Sequence, residues 1–299
     1  MAKYLIFRTD RIGDFLLSCI LIRSIKRNDS NSHITVLASK KNFNYISSFT
    51  YIDKVLILKK GLINKLKTIF VLRKYFFDFS VLHDGKNRSK LINLFLKKKH
   101  SIYFNNKDIS ISHFEKIVKA VSDMGFDFKN YDLNILEEKL IKYSDIENSD
   151  DYAVLHYDEK WSNSDYIKNF VNIEPNKSEL VYFLNQVQKL TNLKIIITTG
   201  INTPKIINDI SNSFDKQNVS IKKNLNFLEL EKIIINSKLL ISCHGSVSHI
   251  ASALSIKQVD IIDKSYHYNI WNKHFRNYNS IKRKDFKNLS KEILSLIHI

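Results

Sequence analysis

The sequence is short of cysteine, of glycine and of long apolar runs. Its two cysteines in 299 residues, Cys19 and Cys243, stand far apart, so the chain carries neither a disulfide framework nor a metal-spaced thiol pair. Each lies beside an apolar run and reads as a buried, reduced thiol. The longest apolar stretches, such as FLLSCILI and KIIIT, fall far below the ~18 residues that a membrane-spanning helix needs. The chain enters a strand at once, without a charged region followed by an apolar core, which leads to the expectation of a cytoplasmic protein. Six glycines form no G-x-G-x-x-G and no G-x-x-x-x-G-K-[ST], so dinucleotide-binding and P-loop readings lose their main support. No D-x-D pair occurs, and no obligatory divalent ion is expected.

Positive charge, by contrast, is abundant: 47 Lys and Arg against 30 Asp and Glu, a net charge of +17. Such a balance invites anionic partners. Much of the excess is lysine in a chain also rich in asparagine and isoleucine, which reads as compositional drift with a preference for anionic partners on top. The aromatic and basic run YHYNIWNKHFRNYNSIKR (266–283) suggests nucleic-acid stacking, but nothing in the sequence places its rings on one face.

At 44% hydrophobic, the chain can bury a full core. Apolar runs of five or six residues alternate with helical patterns throughout. YLIF precedes a helix over 14–27; then come HITVLAS, helix 41–48, KVLIL, helix 62–76, FSVLH, helix 87–97, SIYF and helix 112–124. This is the βαβα pattern of a parallel sheet covered on both faces. EEKLIKYSDIENSDD (137–151) reads as a linker. A second series follows: YAVLH, helix 177–190, KIIITTG, helix 203–212, VSIK, helix 227–236, KLLISCHG, helix 247–254, QVDIID and a terminal helix in DFKNLSKEILSLI. The pattern predicts two doubly wound α/β units, 1–150 and 151–299.

Ligands in such folds bind beyond the carboxyl ends of the strands. Gly13, Gly85, Gly200 and Gly245 each closely follow a predicted strand, which suggests two facing sites, one per unit. In RIGD, Asp14 stands where a loop becomes a helix, and it serves either as N-cap or as a general base. Gly13 fits both roles by allowing a tight turn. In LISCHGSVSHIASAL, the helix beginning near Val247 points its first amides at a seat for phosphate. Gly245, Ser246 and Ser248 are small enough for close approach there. His249 either donates to a phosphate or packs at the helix start, and His244 is a ligand or merely a strand-end residue. Lys160, in HYDEKW, is a counter-charge for diphosphate or a solvated lysine. Asp84, Lys86 and Arg88 suit an anionic or hydroxylated substrate or form a plain polar loop. His113 and Glu115 open a helix and are a weaker signal.

Together these stretches resemble the heptosyltransferase-like glycosyltransferases of family nine. YLIFRTDRIGDFLLSCILIRSIK is similar to that family's opening strand, Gly-Asp turn and helix. FDFSVLHDGKNRSKLINLFLKKKHSIYF and SHFEKIVKAVSDMGF resemble later parts of its N-terminal half. KLLISCHGSVSHIASALSIKQVDIID resembles its donor-site strand, loop and helix. The resemblance implies a GT-B fold: two doubly wound Rossmann-like domains facing a central cleft, with a C-terminal helix. It implies inverting transfer of a sugar from a nucleoside diphosphate, usually ADP-heptose, to a lipopolysaccharide-core or other cell-surface glycan acceptor.

By the same resemblance, Asp14 is the catalytic carboxylate, and Arg11, Gly13, Asp84, Arg88 and His113 belong to the acceptor side. Lys160, Thr199, Gly200, Leu225, His244, Gly245, Ser246 and His249 belong to the donor side, with Leu225 against the adenine. The partners implied are the nucleotide-sugar and an anionic glycolipid, with peripheral contact at the inner face of the cytoplasmic membrane, no nucleic acid, and no cofactor beyond the donor. Two departures stand out. His244-Gly245-Ser246 replaces the family's common Asp-Thr-Gly, and INTPKII lacks an acid often placed there for the ribose. The alternatives are an epimerase or hydrolase acting on nucleotide-sugars, or a basic nucleic-acid-binding α/β protein.

Overall fold

The computed structural model describes residues 1–144, 151–162, 171–214, 217–263 and 267–297. The chain forms two compact units, Met1–Lys139 with Asn269–His274, and Leu140–Tyr268 with Phe275–Ile299. The second unit thus begins earlier than 151, and six residues late in the chain return to the first.

The first unit runs β1 (Lys3–Arg8), α1 (Ile12–Asn28), β2 (His33–Ala38), α2 (Phe43–Ile46), β3 (Lys54–Ile57), α3 (Leu62–Leu72), β4 (Phe76–Leu82), α4 (Asn87–Leu94), β5 (Lys97–Tyr103) and α5 (His113–Asp123). Its strands are all parallel, in the order β3-β2-β1-β4-β5. α6 (Glu137–Ser144) spans the division between the units. The second unit continues with β6 (Tyr152–His156), α7 (Lys177–Thr191), β7 (Lys194–Thr198), α8 (Lys205–Asp209), β8 (Val219–Lys222), α9 (Phe227–Ile235), β9 (Leu239–Cys243), α10 (Ser246–Ala253) and β10 (Lys257–Ile262). α11 (Asn269–Asn272) belongs to the first unit, and β11 (Tyr278–Lys282) and α12 (Phe286–Leu296) to the second. The second sheet is also parallel, in the order β11-β10-β9-β6-β7-β8.

The residues explain these elements. β1 and β9 are continuous apolar runs because both faces of a central parallel strand are covered. α1 is buried without a break from Phe15 to Ile22, and α5 packs against it. Side-chain caps define several starts: Ser112 accepts from the Glu115 amide, Asn176 from that of Glu179, and Asn226 from those of Leu228 and Glu229.

Four local expectations are corrected. The stretch that reads as a linker begins as helix α6, because its charges are anchored: Arg23 pairs with Glu137 at 2.7 Å, and the Lys139 ammonium lies 3.9 Å from the centre of the Phe49 ring. Residues 145–150 of that stretch lie outside the described residues. β5 begins at Lys97, where the sequence pattern puts the end of a helix; it is an edge strand, where lysine blocks unwanted pairing. β11, inside the aromatic and basic run, went unpredicted. Gly13 is no turn glycine but lies within the first turn of α1.

Candidate functional site

Each sheet reverses its strand order once, between β1 and β4 in the first unit and between β6 and β9 in the second. At such a point the loops from two neighbouring strands diverge to opposite faces and leave a crevice at their carboxyl ends. In each unit, the loops flanking this point carry most of the candidate residues.

In the first unit, Arg8 organises the crevice. It is the last residue of β1 and is buried. Its Nε donates to the main-chain oxygen of Asp14 at 2.6 Å, as does its Nη2, and its Nη1 donates to the His83 oxygen at 2.9 Å. One guanidinium therefore ties the end of β1 to the first turn of α1 and the end of β4. Asp14 is not the N-cap that its position suggested. The helix starts earlier, Arg11 is the capping residue, and Asp14 is third in the helix, its Oδ2 accepting from the Arg11 amide at 3.3 Å. The Arg11 side chain is exposed and that of Asp14 half-buried. Gly13, just before it, leaves that turn without a side chain.

Asp84 is buried, and its Oδ2 accepts from the Thr9 hydroxyl and from Ser89 Oγ at 2.7 Å. Arg88 folds back onto Thr9, reaching its oxygen at 2.7 Å. Both therefore brace the ends of β1 and β4. His113 opens α5 with its ring 4.0 Å from that of Trp271 in α11. Burial, then Lys116 and Arg8, push its imidazole down to about 4, with Asp14 opposing. The electrostatic coupling brings His113, Arg8 and Asp14 to one neighbourhood.

Two groups here escaped the reading of the sequence. Asp10 is 14% exposed and its Oδ2 accepts from Arg8 Nη1 at 3.2 Å. Its Oδ1 is buried without a hydrogen-bond partner among the described residues. Burial pushes this carboxyl up to about 6; Arg8 opposes, and the charges of Asp14 and Asp84 add to the rise. His83 Nδ1 meets Ser18 Oγ at 2.8 Å while Nε2 is buried without a partner among the described residues. Burial, with Arg8 and His113, holds it well below the ordinary range. Both lie within two residues of a strand end, which was the available signal.

In the second unit, a short 3₁₀ turn over Glu159–Trp161 follows β6 and sends consecutive side chains to opposite sides. Glu159 Oε2 lies 4.0 Å from where a β-carbon on Gly200 would stand, at the end of β7. Lys160 Nζ lies 2.7 Å from the equivalent point on Gly245, beyond β9. The ammonium also donates to the His244 oxygen at 3.2 Å and pairs with Asp158 at 2.8 Å. Burial opposes the Lys160 charge, but Asp158 outweighs it and lifts the ammonium above its ordinary value. Asp158 is buried too; Lys160 more than offsets that cost and holds its carboxyl below the usual range.

Gly245 caps α10 and Ser246 is its first residue. His244 Nδ1 lies 2.9 Å from Asp260 Oδ2, and the other oxygen of Asp260 accepts from Ser242 and Ser248, each at 2.8 Å. An acid missing from the loop thus stands directly behind it, on β10. His249 is buried with the Phe275 ring edge-on at 4.9 Å. Among the described residues, rings of the aromatic run pack within their own unit: half-buried Trp271 lies over His113, and half-buried Phe275 lies against His244 and His249. Thr199, buried at the end of β7, accepts from the Asn224 amide at 3.1 Å and so fixes the loop that carries half-buried Leu225. The structure therefore gathers Lys160, His244, Gly245 and Ser246 at the crevice between β6 and β9, with His249 one helical turn on, while Gly200 and Leu225 lie on the β7 and β8 side.

A groove of about 740 Å³ runs along the open edge of β5, lined by residues such as His100, Tyr103, Lys116 and Asp123. None of the strand-end candidates lines it. Among the described residues, no three His, Cys, Asp or Glu side chains converge to hold a metal, and no helix is long and apolar enough to cross a membrane.

No known sequence family and no curated protein matches the chain. Solved structures do match. The E. coli heptosyltransferase WaaC with ADP aligns over 98% of this chain and 99% of its own, at 9% identity and a TM-score of 0.74. A family-nine glycosyltransferase from Veillonella parvula aligns over 100% of this chain and 92% of its own, at 10% identity and a TM-score of 0.72. UDP-GlcNAc 2-epimerase from Methanocaldococcus jannaschii aligns over 100% and 92%, at 13% identity and a TM-score of 0.57. The chain has the α/β fold of these GT-B proteins, and its resemblance to the heptosyltransferases holds at the level of the fold.

Proposed function

We propose that this protein is an inverting glycosyltransferase that moves a heptose or related sugar from a nucleoside diphosphate, ADP by preference, to a cell-surface glycolipid acceptor. The observation that carries the reading is Lys160. A half-buried lysine, paired with buried Asp158, lies across Gly245 at the start of α10, so a cation and the first amides of a helix point at one place. Charge and free N–H groups together suit a diphosphate. Fixed in advance, they stabilise charge that grows on a leaving group more than charge already there.

In the proposed reaction, Asp14 takes the proton of an acceptor hydroxyl. The oxygen attacks the anomeric carbon as the bond to the diphosphate breaks, and the diphosphate leaves with the electron pair. Arg8 holds the Asp14 backbone in place through the reaction. Peripheral membrane contact and a cytoplasmic site of action follow from a lipid-linked acceptor made from cytoplasmic nucleotide-sugars.

A panel of ADP, UDP, GDP and CMP, each with its sugars, tests the reading by thermal shift and by product analysis. Saturable stabilisation by one nucleoside diphosphate is expected. The epimerase-like fold motivates the second reading, an epimerase or hydrolase. A product that forms equally with and without a glycolipid acceptor favours that second reading.

A further inference from the structure

The +17 charge is concentrated. Residues 54–107 hold fourteen Lys and Arg against only Asp78 and Asp84, a net +12, while the rest of the chain holds +5. Compositional drift would spread the excess, and it does not explain a segment of this kind. The segment builds β3, α3, β4, α4 and β5.

α3 and α4 pack side by side on the first sheet. Their inner sides put Ile69, Leu72 and Ile92 into the core. Their outer sides are apolar as well. Leu62, Ile63, Leu66 and Phe70 on α3 and Leu94 at the end of α4 are 57 to 70% exposed. Positions 62, 66 and 70 follow one another at single helical turns, so they form one line along α3. Single exposed leucines are ordinary, whereas a shared apolar face on two neighbouring helices marks an interaction surface. Lys59, Lys60, Lys67, Arg73 and Lys74 are exposed around it, and the Lys74 ammonium lies 5.4 Å from the centre of the Phe70 ring.

We infer that this α3/α4 face docks on an anionic lipid bilayer, with Leu62, Leu66, Phe70 and Leu94 in the boundary between headgroups and acyl chains and the lysines at phosphate level. An interfacial helix needs this pairing of exposed aliphatic side chains with basic neighbours. Each basic residue near an anionic leaflet adds attraction that salt weakens. Nucleic acid would reward the charge but not bare leucine and isoleucine. The inference stands without the transferase reading, because it concerns a surface and no sugar.

Co-sedimentation of the full chain with phosphatidylcholine vesicles, with and without phosphatidylglycerol, tests it. Binding is expected only with phosphatidylglycerol and should fall with salt. Leu66→Asp/Phe70→Asp, changing two exposed residues, should keep the wild-type melting temperature and lose about tenfold or more in partitioning. Lys59→Glu/Lys67→Glu should lose a similar amount. Asp14→Asn should bind vesicles as wild type does, whatever its effect on turnover. The inference is overturned if anionic vesicles do not carry the protein down, or if Leu66→Asp/Phe70→Asp binds them unchanged. It is equally overturned if gel filtration shows a dimer that this variant dissolves, or if DNA binds more tightly than vesicles and displaces them.

Discussion

The Lys160 ammonium occupies space that any side chain at residue 245 would claim, its nitrogen 2.7 Å from the point where a β-carbon would stand. Glycine is therefore favoured there by a neighbour and not by backbone strain, since the backbone at 245 is extended and open to any residue. Gly245→Ala displaces only the far end of a flexible lysine. Its melting temperature should change little, while affinity for ADP, measured by calorimetry, should fall about tenfold, the ~1.4 kcal/mol expected of a displaced charge-assisted contact. Lys160→Met is a poorer probe, because it strands Asp158 as a buried charge at a cost of about 3–5 kcal/mol.

Asp14 and Asp10 share the opening loop but differ in what holds them. Removing a general base typically costs ~10²–10⁴-fold in turnover. Asp14→Asn should lose that much and keep wild-type affinity for the donor. Asp10→Asn keeps an oxygen for Arg8 and should retain most turnover near neutral pH. Single-turnover rates for both variants assign the base, and the reverse ranking would give it to Asp10.

Acid should destabilise the fold well above the usual carboxylate range. His113 and His156 are each held down to about 4, by burial first; Lys116 and Arg8 add for His113, and Lys160 adds for His156 against the opposing Asp158. His83 is lowered in the same direction. Because these folded values lie below the unfolded one near 6.5, the unfolded chain takes protons first. Their stabilisation is whole above pH 6.5 and lost as the pH falls towards 4, about 3 kcal/mol for each of His113 and His156. Asp10, raised to about 6, works the other way: its contribution is full below about pH 4 and is lost as the pH rises through 6. Three histidines outweigh one acid, so urea midpoints should drop between pH 7 and pH 4, and His113→Asn should flatten the slope.

Asp260 accepts from His244, Ser242 and Ser248, and all three donors are buried or nearly so. Asp260→Ala should destabilise the second unit by about 3–5 kcal/mol, since each orphaned donor costs about 1–3 kcal/mol. Denaturant unfolding checks this. His244→Ala should cost less, because the two serines still satisfy one carboxylate oxygen.

Turnover should survive EDTA. The proposed seat meets the leaving charge with Lys160 and the amides of α10, and the sequence has no D-x-D pair. Loss of activity in EDTA, restored by Mg²⁺, would contradict the metal-free assignment.

Alternation of apolar runs with helical patterns was enough to read two parallel sheets, because parallel strands buried on both faces leave near-continuous apolar signatures such as YLIF and KLLIS. Glycine positions led to the strand ends, and Gly245 and Gly200 are indeed where side chains from the next loop come close. What escaped was set by tertiary contact. Lys97 to Lys99 read as helix or loop because an edge strand needs no apolar face. EEKLIK read as linker because nothing in the sequence says that Lys139 lies over Phe49. The first helix reads as starting at Asp14 rather than Ile12 because the Arg8 guanidinium that grips its first turn is a tertiary contact. Asp10 and His83 went unnoticed because their unusual protonation comes from burial, which single positions do not announce.

The hexapeptide Asn269–His274 has a genetic consequence. It lies late in the chain but folds with the first unit, where Trp271 covers His113. The polypeptide therefore changes unit three times, and no single cut yields two self-sufficient fragments. A gene divided after codon 139 would give an amino-terminal product with a bare imidazole, and a carboxyl-terminal product with an orphan tryptophan. Complementation between such halves should succeed only when both are produced together.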